Sequence, residues 1–221
     1  VEKTALAEAE VEYHDRQTDA VWVKFPVVDV HENSFQRAME VQLKGDGPLE
    51  GYQNVASWDD VDMEQVRAKW RGAQVIIWTT TPWTLPSNRA ICFGPGIEYG
   101  LYEVTGTPDE CWASVGDRYL IADALADATM TAARLEDGQW RRLRDVAGDE
   151  LSAFVCAHPL RGADGADGEW DYDVPLFPGD HVTDDAGTGF VHTAPSHGDD
   201  DYQIGLAHGL PMTHNVETDG T

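Results

Sequence analysis

The sequence predicts an α+β domain: a mixed, largely antiparallel, β-barrel-like sheet with peripheral helices. Three observations predict it. Helical and extended patterns are interleaved without a strict strand-helix alternation, which argues against a doubly wound parallel sheet. The 221 residues are 42% hydrophobic, enough for one large core. Eight tryptophans and eleven prolines indicate a folded, loop-rich globule rather than disorder.

The elements follow in order. Residues 20–28, AVWVKFPVV, alternate and read as a strand, with Pro26 marking an edge or a bend. Residues 33–43 read as a short helix capped by Asn33 or Ser34. Residues 57–70 read as another, with Ser57 as N-cap, acids in the first turn and bases in the last. QVIIW, 74–78, is a buried strand that delivers threonines at its end. Residues 88–93 and 98–104 are strands around the Gly-Pro-Gly turn at 94–96. Residues 117–135 carry an apolar helical stripe, and 163–173 read as a polar surface loop. Residues 173–183 and 188–195 are strand segments separated by a turn. Residues 198–210 read as a helix that opens on acids and ends near Gly209.

Several function classes are disfavoured. No stretch approaches the roughly 20 apolar residues of a membrane helix. The opening, VEKTALAEAEVEYHD, lacks an initiator Met and a signal-peptide core, and points to a piece of a larger protein. Cys92, Cys111 and Cys156 are odd in number and show no Cys-x-x-Cys pairing. They suggest neither a disulfide framework nor a structural zinc site, and fit a reducing cytosol. The net charge is −25, from forty acids against fifteen bases. Taken alone, such a surface repels phosphate backbones, although salt screens it beyond about 8 Å.

Two polar patches remain. WTTTPWTLPSNRAI, 78–91, gathers hydroxyls and an amide, with neither a Ser-His nor a Cys-His pair beside them. DDAGTGFVHTAPSHGDDDYQIGLAHGLP, 184–211, holds His192, His197 and His208 with Asp199, Asp200 and Asp201. The histidine spacings fit no His-Glu-x-x-His helix, so metal is disfavoured. GTG at 187–189 lacks the lysine of a phosphate loop and reads as a tight turn. The aspartates alone would be a charged helix start, and His192 alone a satisfied, partly buried side chain. Both patches lie at strand ends among apolar residues, which suits a small polar pocket.

WTTTPWTLPSNRAI and GTGFVHTAPSHGDDDY resemble the two signature stretches of the editing domain of isoleucyl-tRNA synthetase, the connective insertion of the class I core. The resemblance covers most of the chain: KTALAEAEVEY resembles the entry segment and DGT the point of return. The valyl and leucyl relatives carry an Arg where this chain has Thr81, and lack the His of VHTAP. Residues 36–72 look longer and more acidic than that family, as in a lineage-specific insertion within a single domain spanning 1–221. The ligase signatures His-Ile-Gly-His and Lys-Met-Ser-Lys-Ser are missing.

The resemblance implies cytoplasmic hydrolysis of mischarged Val-tRNA(Ile). Thr80 and Thr81 would act at the ester and its water, and Thr79 and Trp83 would shape the pocket. Asn88 would hydrogen-bond near the terminal nucleotide, and His192 would limit side-chain size. Asp201 would both bind the α-ammonium and serve hydrolysis. The partners would be the 3′ end of aminoacylated tRNA(Ile), the rest of the synthetase chain and, as a second substrate, valyl-adenylate, with no membrane. No metal or other cofactor is expected in this domain; ATP, and any zinc, would belong to the remainder of the enzyme. Three alternatives stay open: a catalytically silent tRNA 3′-end binding module, valyl-type editing of Thr-tRNA, and a metallohydrolase.

Overall fold

The computed structural model describes residues 19–43, 58 and 61–213. Its strands are β1 (Val21–Val30), β2 (Ala73–Thr79), β3 (Ala90–Phe93), β4 (Tyr99–Val104), β5 (Arg118–Ala122), β6 (Trp140–Val146), β7 (Phe154–Ala157), β8 (Asp173–Pro178) and β9 (Phe190–Thr193). Its helices are α1 (Glu32–Leu43), α2 (Met63–Trp70), α3 (Ala126–Ala132), α4 (Gly148–Leu151) and α5 (Asp199–His208). Among the described residues the strands form one sheet in the order β6-β4-β5-β2-β1-β7-β8-β3-β9. Only β2–β5 and β3–β8 are parallel. The expected class therefore holds: mixed, largely antiparallel, with helices at the periphery. The sheet curls, and β9 packs against β2, but it does not close into a barrel.

β1 is the axis of the sheet. It pairs with β2 through residues 21–26 and with β7 through 27–30. Pro26 was expected at an edge or a bend. It sits in a central strand, where pairing passes from β2 to β7 beside a register shift. A proline contributes no N–H to a ladder, and a handover is where that loss is tolerated.

Other expectations need correction. Residues 117–135 are not one helix: 118–122 form β5, flanked by β2 and β4. Tyr119, Leu120, Ile121 and Ala122 are all fully buried, and burial on both faces overrides helical spacing. α1 starts at Glu32, ahead of the expected caps. α2 starts later than expected, at Met63, where the Asp62 carboxylate accepts from the Glu64 and Gln65 N–H groups. Ser57, the entry segment and the closing DGT lie outside the described residues. So does the middle of the 36–72 stretch, whose flanks enter the core through Met39, Val66 and Trp70.

GTG is a tight turn, as read. Gly187 and Gly189 have φ of 80° and 79°. A Cβ on Gly189 would lie 2.3 Å from that of Ala122, so the turn can press on β5 only with glycine there. The Tyr99 hydroxyl donates to the Gly189 carbonyl at 2.6 Å. This turn launches β9, whose partner β3 follows the threonine segment in the chain.

Candidate functional site

β2 ends at Thr79, and a 3-10 turn over Pro82–Ser87 takes the chain away from the sheet. Thr79 is buried, while Thr80 and Thr81 are exposed. The Thr79 hydroxyl accepts from the Thr81 N–H at 3.1 Å and lies 3.2 Å from the Thr81 hydroxyl. The threonine run thus folds onto itself at the strand end and leaves two hydroxyl-bearing residues facing water. Trp83 is 61% exposed, so it stands beside the threonines rather than packed as a wall.

β9 brings the second patch. His192 lies opposite Ile91 in the β3–β9 ladder and is 8% exposed. Its Nε2 is 3.1 Å from the Thr84 hydroxyl. That hydroxyl also donates to the Thr81 carbonyl at 2.8 Å. Thr84 has one proton and gives it to Thr81, so toward His192 it accepts. The imidazole proton therefore sits on Nε2. Nδ1 is left as a buried lone pair without a hydrogen-bond partner. Burial, then the fields of His197 and His158, lower the His192 pKa to about 4, so the ring is neutral at physiological pH.

Thr84 is the residue that sequence reasoning passed over. It is 7% exposed and links the two patches. A polar residue inside a run of polar residues carries no local mark; the signal lay only in its partner 108 positions away.

Asp201 stands in the first turn of α5 with Asp199 and Asp200. Burial raises its pKa, offset by a hydrogen bond from the Ala194 backbone and by His181, with Asp200 adding repulsion. Its carboxylate thus meets the chain just past β9, two residues beyond His192. α5 comes close because of Gly205, where a Cβ would lie 2.8 Å from Pro195. Asp199 is exposed and joins Pro195, Ser196, Gly198, Tyr202 and Met212 around a neighbouring open groove.

Asn88 is placed otherwise than expected. It is fully buried, and its amide donates to the Ala90 carbonyl at 2.8 Å. It braces the turn and offers no surface to a nucleotide. Among the described residues, no three His, Cys, Asp or Glu side chains gather to hold a metal ion.

The arrangement holds hydroxyls at a strand end, a neutral imidazole behind them and a half-buried carboxylate beside the chain that leaves β9. It can orient a water and a cationic substrate without a covalent intermediate.

No family model matches the chain. An isoleucine–tRNA ligase of Ruegeria pomeroyi is 44% identical over 224 residues, covering 100% of this chain and 19% of that protein. That of Bradyrhizobium diazoefficiens is 47% identical over 207 residues, covering 94% of this chain and 17% of the relative. The chain thus spans under a fifth of the length of these curated relatives. Among solved structures, the cytosolic leucyl-tRNA synthetase editing domain of P. knowlesi superimposes with a TM-score of 0.53 at 17% identity, covering 90% of this chain and 66% of that one. The P. falciparum domain gives 0.51 at 12%, covering 83% and 63%. Those identities speak for fold alone. Sequence and fold together place the chain in the isoleucine–tRNA ligase family, as a stretch with the fold of the synthetase editing domains.

Proposed function

We propose that this stretch edits: it hydrolyses valine wrongly esterified to tRNA(Ile). The observation that carries the reading is the Thr84–His192 bond, which brings the two motif patches into one site. The need for such a site is physical. Isoleucine and valine differ by one methylene, and isoleucyl-tRNA synthetase is itself the standard example of how little that yields, about 150-fold.

An aminoacyl ester is already activated, so a positioned water suffices. The exposed Thr80 and Thr81 hold the water and ester oxygen as charge develops. Thr79 supports Thr81 from below, and Trp83 offers an aromatic face at the rim. Asp201 pairs with the α-ammonium, and that charge offsets the cost of its own burial. Neutral His192 forms the wall against a longer side chain.

The partners in this reading are the 3′ end of aminoacylated tRNA(Ile) and the rest of the synthetase, in the cytoplasm, with valyl-adenylate as a second substrate. ATP serves the ligase reaction elsewhere in that enzyme, and no cofactor is assigned here. Among the described residues no helix is long and apolar enough to cross a membrane.

The test is deacylation of Val-tRNA(Ile) against Ile-tRNA(Ile) by the full-length synthetase, beside a Thr80→Ala/Thr81→Ala variant. Faster loss of valine in the parent, and a variant impaired more in rate than in binding, support the reading. Equal survival of the two esters sinks it. Preferential loss of Thr-tRNA would assign valyl-type editing instead.

A further inference from the structure

The segment after β7 closes over the threonine turn. Three of its side chains reach backbone carbonyls of residues 85–88. His158 Nε2 lies 3.0 Å from the Leu85 carbonyl. Trp170 Nε1 donates to the Pro86 carbonyl at 3.1 Å. The Tyr172 hydroxyl donates to the Asn88 carbonyl at 2.6 Å. The direction of the first bond follows from its other end. His158 Nδ1 accepts the Leu160 N–H at 3.1 Å, so the proton sits on Nε2 and points at Leu85.

The three rings form one block. His158 stacks on Trp170 at 6.1 Å and 12°, and meets Tyr172 at 5.2 Å. The Arg89 guanidinium lies 4.2 Å above the Tyr172 ring.

The turn they grip is weak on its own. It carries Pro82 and Pro86, neither of which donates a backbone hydrogen bond. Its internal backbone bonds include Thr84 N–H to the Thr81 carbonyl and Asn88 N–H to the Leu85 carbonyl. Short 3-10 pieces hold their shape mainly through what packs on them. Yet this turn carries Thr84, and through it the contact with His192.

We propose that His158, Trp170 and Tyr172 are positioning residues for the hydrolytic site. They hold the 82–88 turn in the register that seats Thr84 on His192 and fixes Thr81. The proposal rests on the deacylase reading above. The three side chains act through the turn, so their loss shows in the rate rather than in substrate binding. A misplacement of about 1 Å at such a site can cost on the order of 100-fold.

The experiment uses the full-length synthetase with Trp170→Phe/Tyr172→Phe, which removes two donors and keeps an aromatic ring at each position. Deacylation of Val-tRNA(Ile) gives kcat and KM. Hydrogen exchange of the peptide spanning 84–90 reports the turn, and a β2 peptide serves as control. The expected result is faster exchange in 84–90 alone and a roughly 5- to 150-fold fall in kcat, the scale of two neutral hydrogen bonds, with KM within about 2-fold. Restoring Tyr172 alone should recover part of the rate. Unchanged exchange, unchanged kcat despite faster exchange, or a loss confined to KM each overturns the positioning role. A parent that leaves Val-tRNA(Ile) intact overturns the deacylase reading, and the clamp as a device for hydrolysis falls with it. An active parent with an equally active variant overturns the clamp alone.

Discussion

The Thr84 hydroxyl bridges the Thr81 carbonyl and His192, and it gives its one proton to Thr81. His192 must therefore donate to Thr84. Thr84→Val keeps the shape and removes both bonds, leaving a buried imidazole with neither nitrogen paired. The expected cost is about 1–3 kcal/mol of stability, the range for an unsatisfied buried polar group. Denaturant unfolding measures it. Thr84→Ser should recover most of the loss, and a Val variant as stable as the parent would refute the Thr84–His192 bond.

His192→Ala should let the site accept isoleucine. A rigid wall rejects one methylene at a cost of about 1–3 kcal/mol, so the variant should hydrolyse Ile-tRNA(Ile) some 5- to 150-fold faster than the parent. Valine hydrolysis should fall less, because Asp201 and the threonines still hold the shared parts of the substrate. If Ile-tRNA(Ile) stays intact while Val-tRNA(Ile) is cleaved, the size filter lies elsewhere, with Trp83 next to test.

Asp201→Ala should cost about 10- to 150-fold in valine hydrolysis, the scale of one charge-assisted contact. The fold should survive, since Asp201 caps neither end of α5; Gly198 and Gly209 do. A variant with full activity and unchanged unfolding would remove Asp201 from the site.

Acid should destabilise the domain. Burial, chiefly, holds both His158 and His192 down to about 4. An unfolded imidazole titrates near 6.5, so the unfolded chain takes up these protons first. Their contribution is whole above pH 6.5 and is lost as pH falls toward 4, about 3 kcal/mol for each ring. Glu150 runs the other way. Burial raises it to about 7 against the pull of Arg144, so its contribution fades as pH rises from 4.5 to 7. Two imidazoles oppose one carboxyl. The unfolding midpoint should therefore drop between pH 6.5 and 4.5, and a midpoint that climbs over that window would contradict the balance. The rate of hydrolysis should show no inflection near 6.5 from His192.

What could be read from the sequence was contiguous. Thr79 to Thr81, His192 and Asp201 each stand in a dense polar string at the end of an apolar run, and two such strings on strand ends suggest a pocket. What could not be read was paired at long range. β6, WRRLRDV, is charged along most of its length because it lies at the sheet edge, so no alternation marks it. β5 looked helical because its neighbours in space, not in sequence, bury both faces. Asn88 looked like a ligand-facing amide; its polarity serves the backbone. His158, Trp170 and Tyr172 are scattered through a loop, and only the carbonyls they reach give them a common purpose.

The separation of 108 positions from Thr84 to His192 also sets a schedule. A chain made at 5–20 residues per second releases the threonines on the order of 5–20 s before the imidazole that completes the site. In that interval β2 can pair with β1, which precedes it in the chain. The 82–88 turn still waits for Trp170 and Tyr172 to emerge, and then for β9. A growing chain can hence own a sheet well before its two polar patches are joined, and a ribosome stalled before residue 190 would present the first motif without the second.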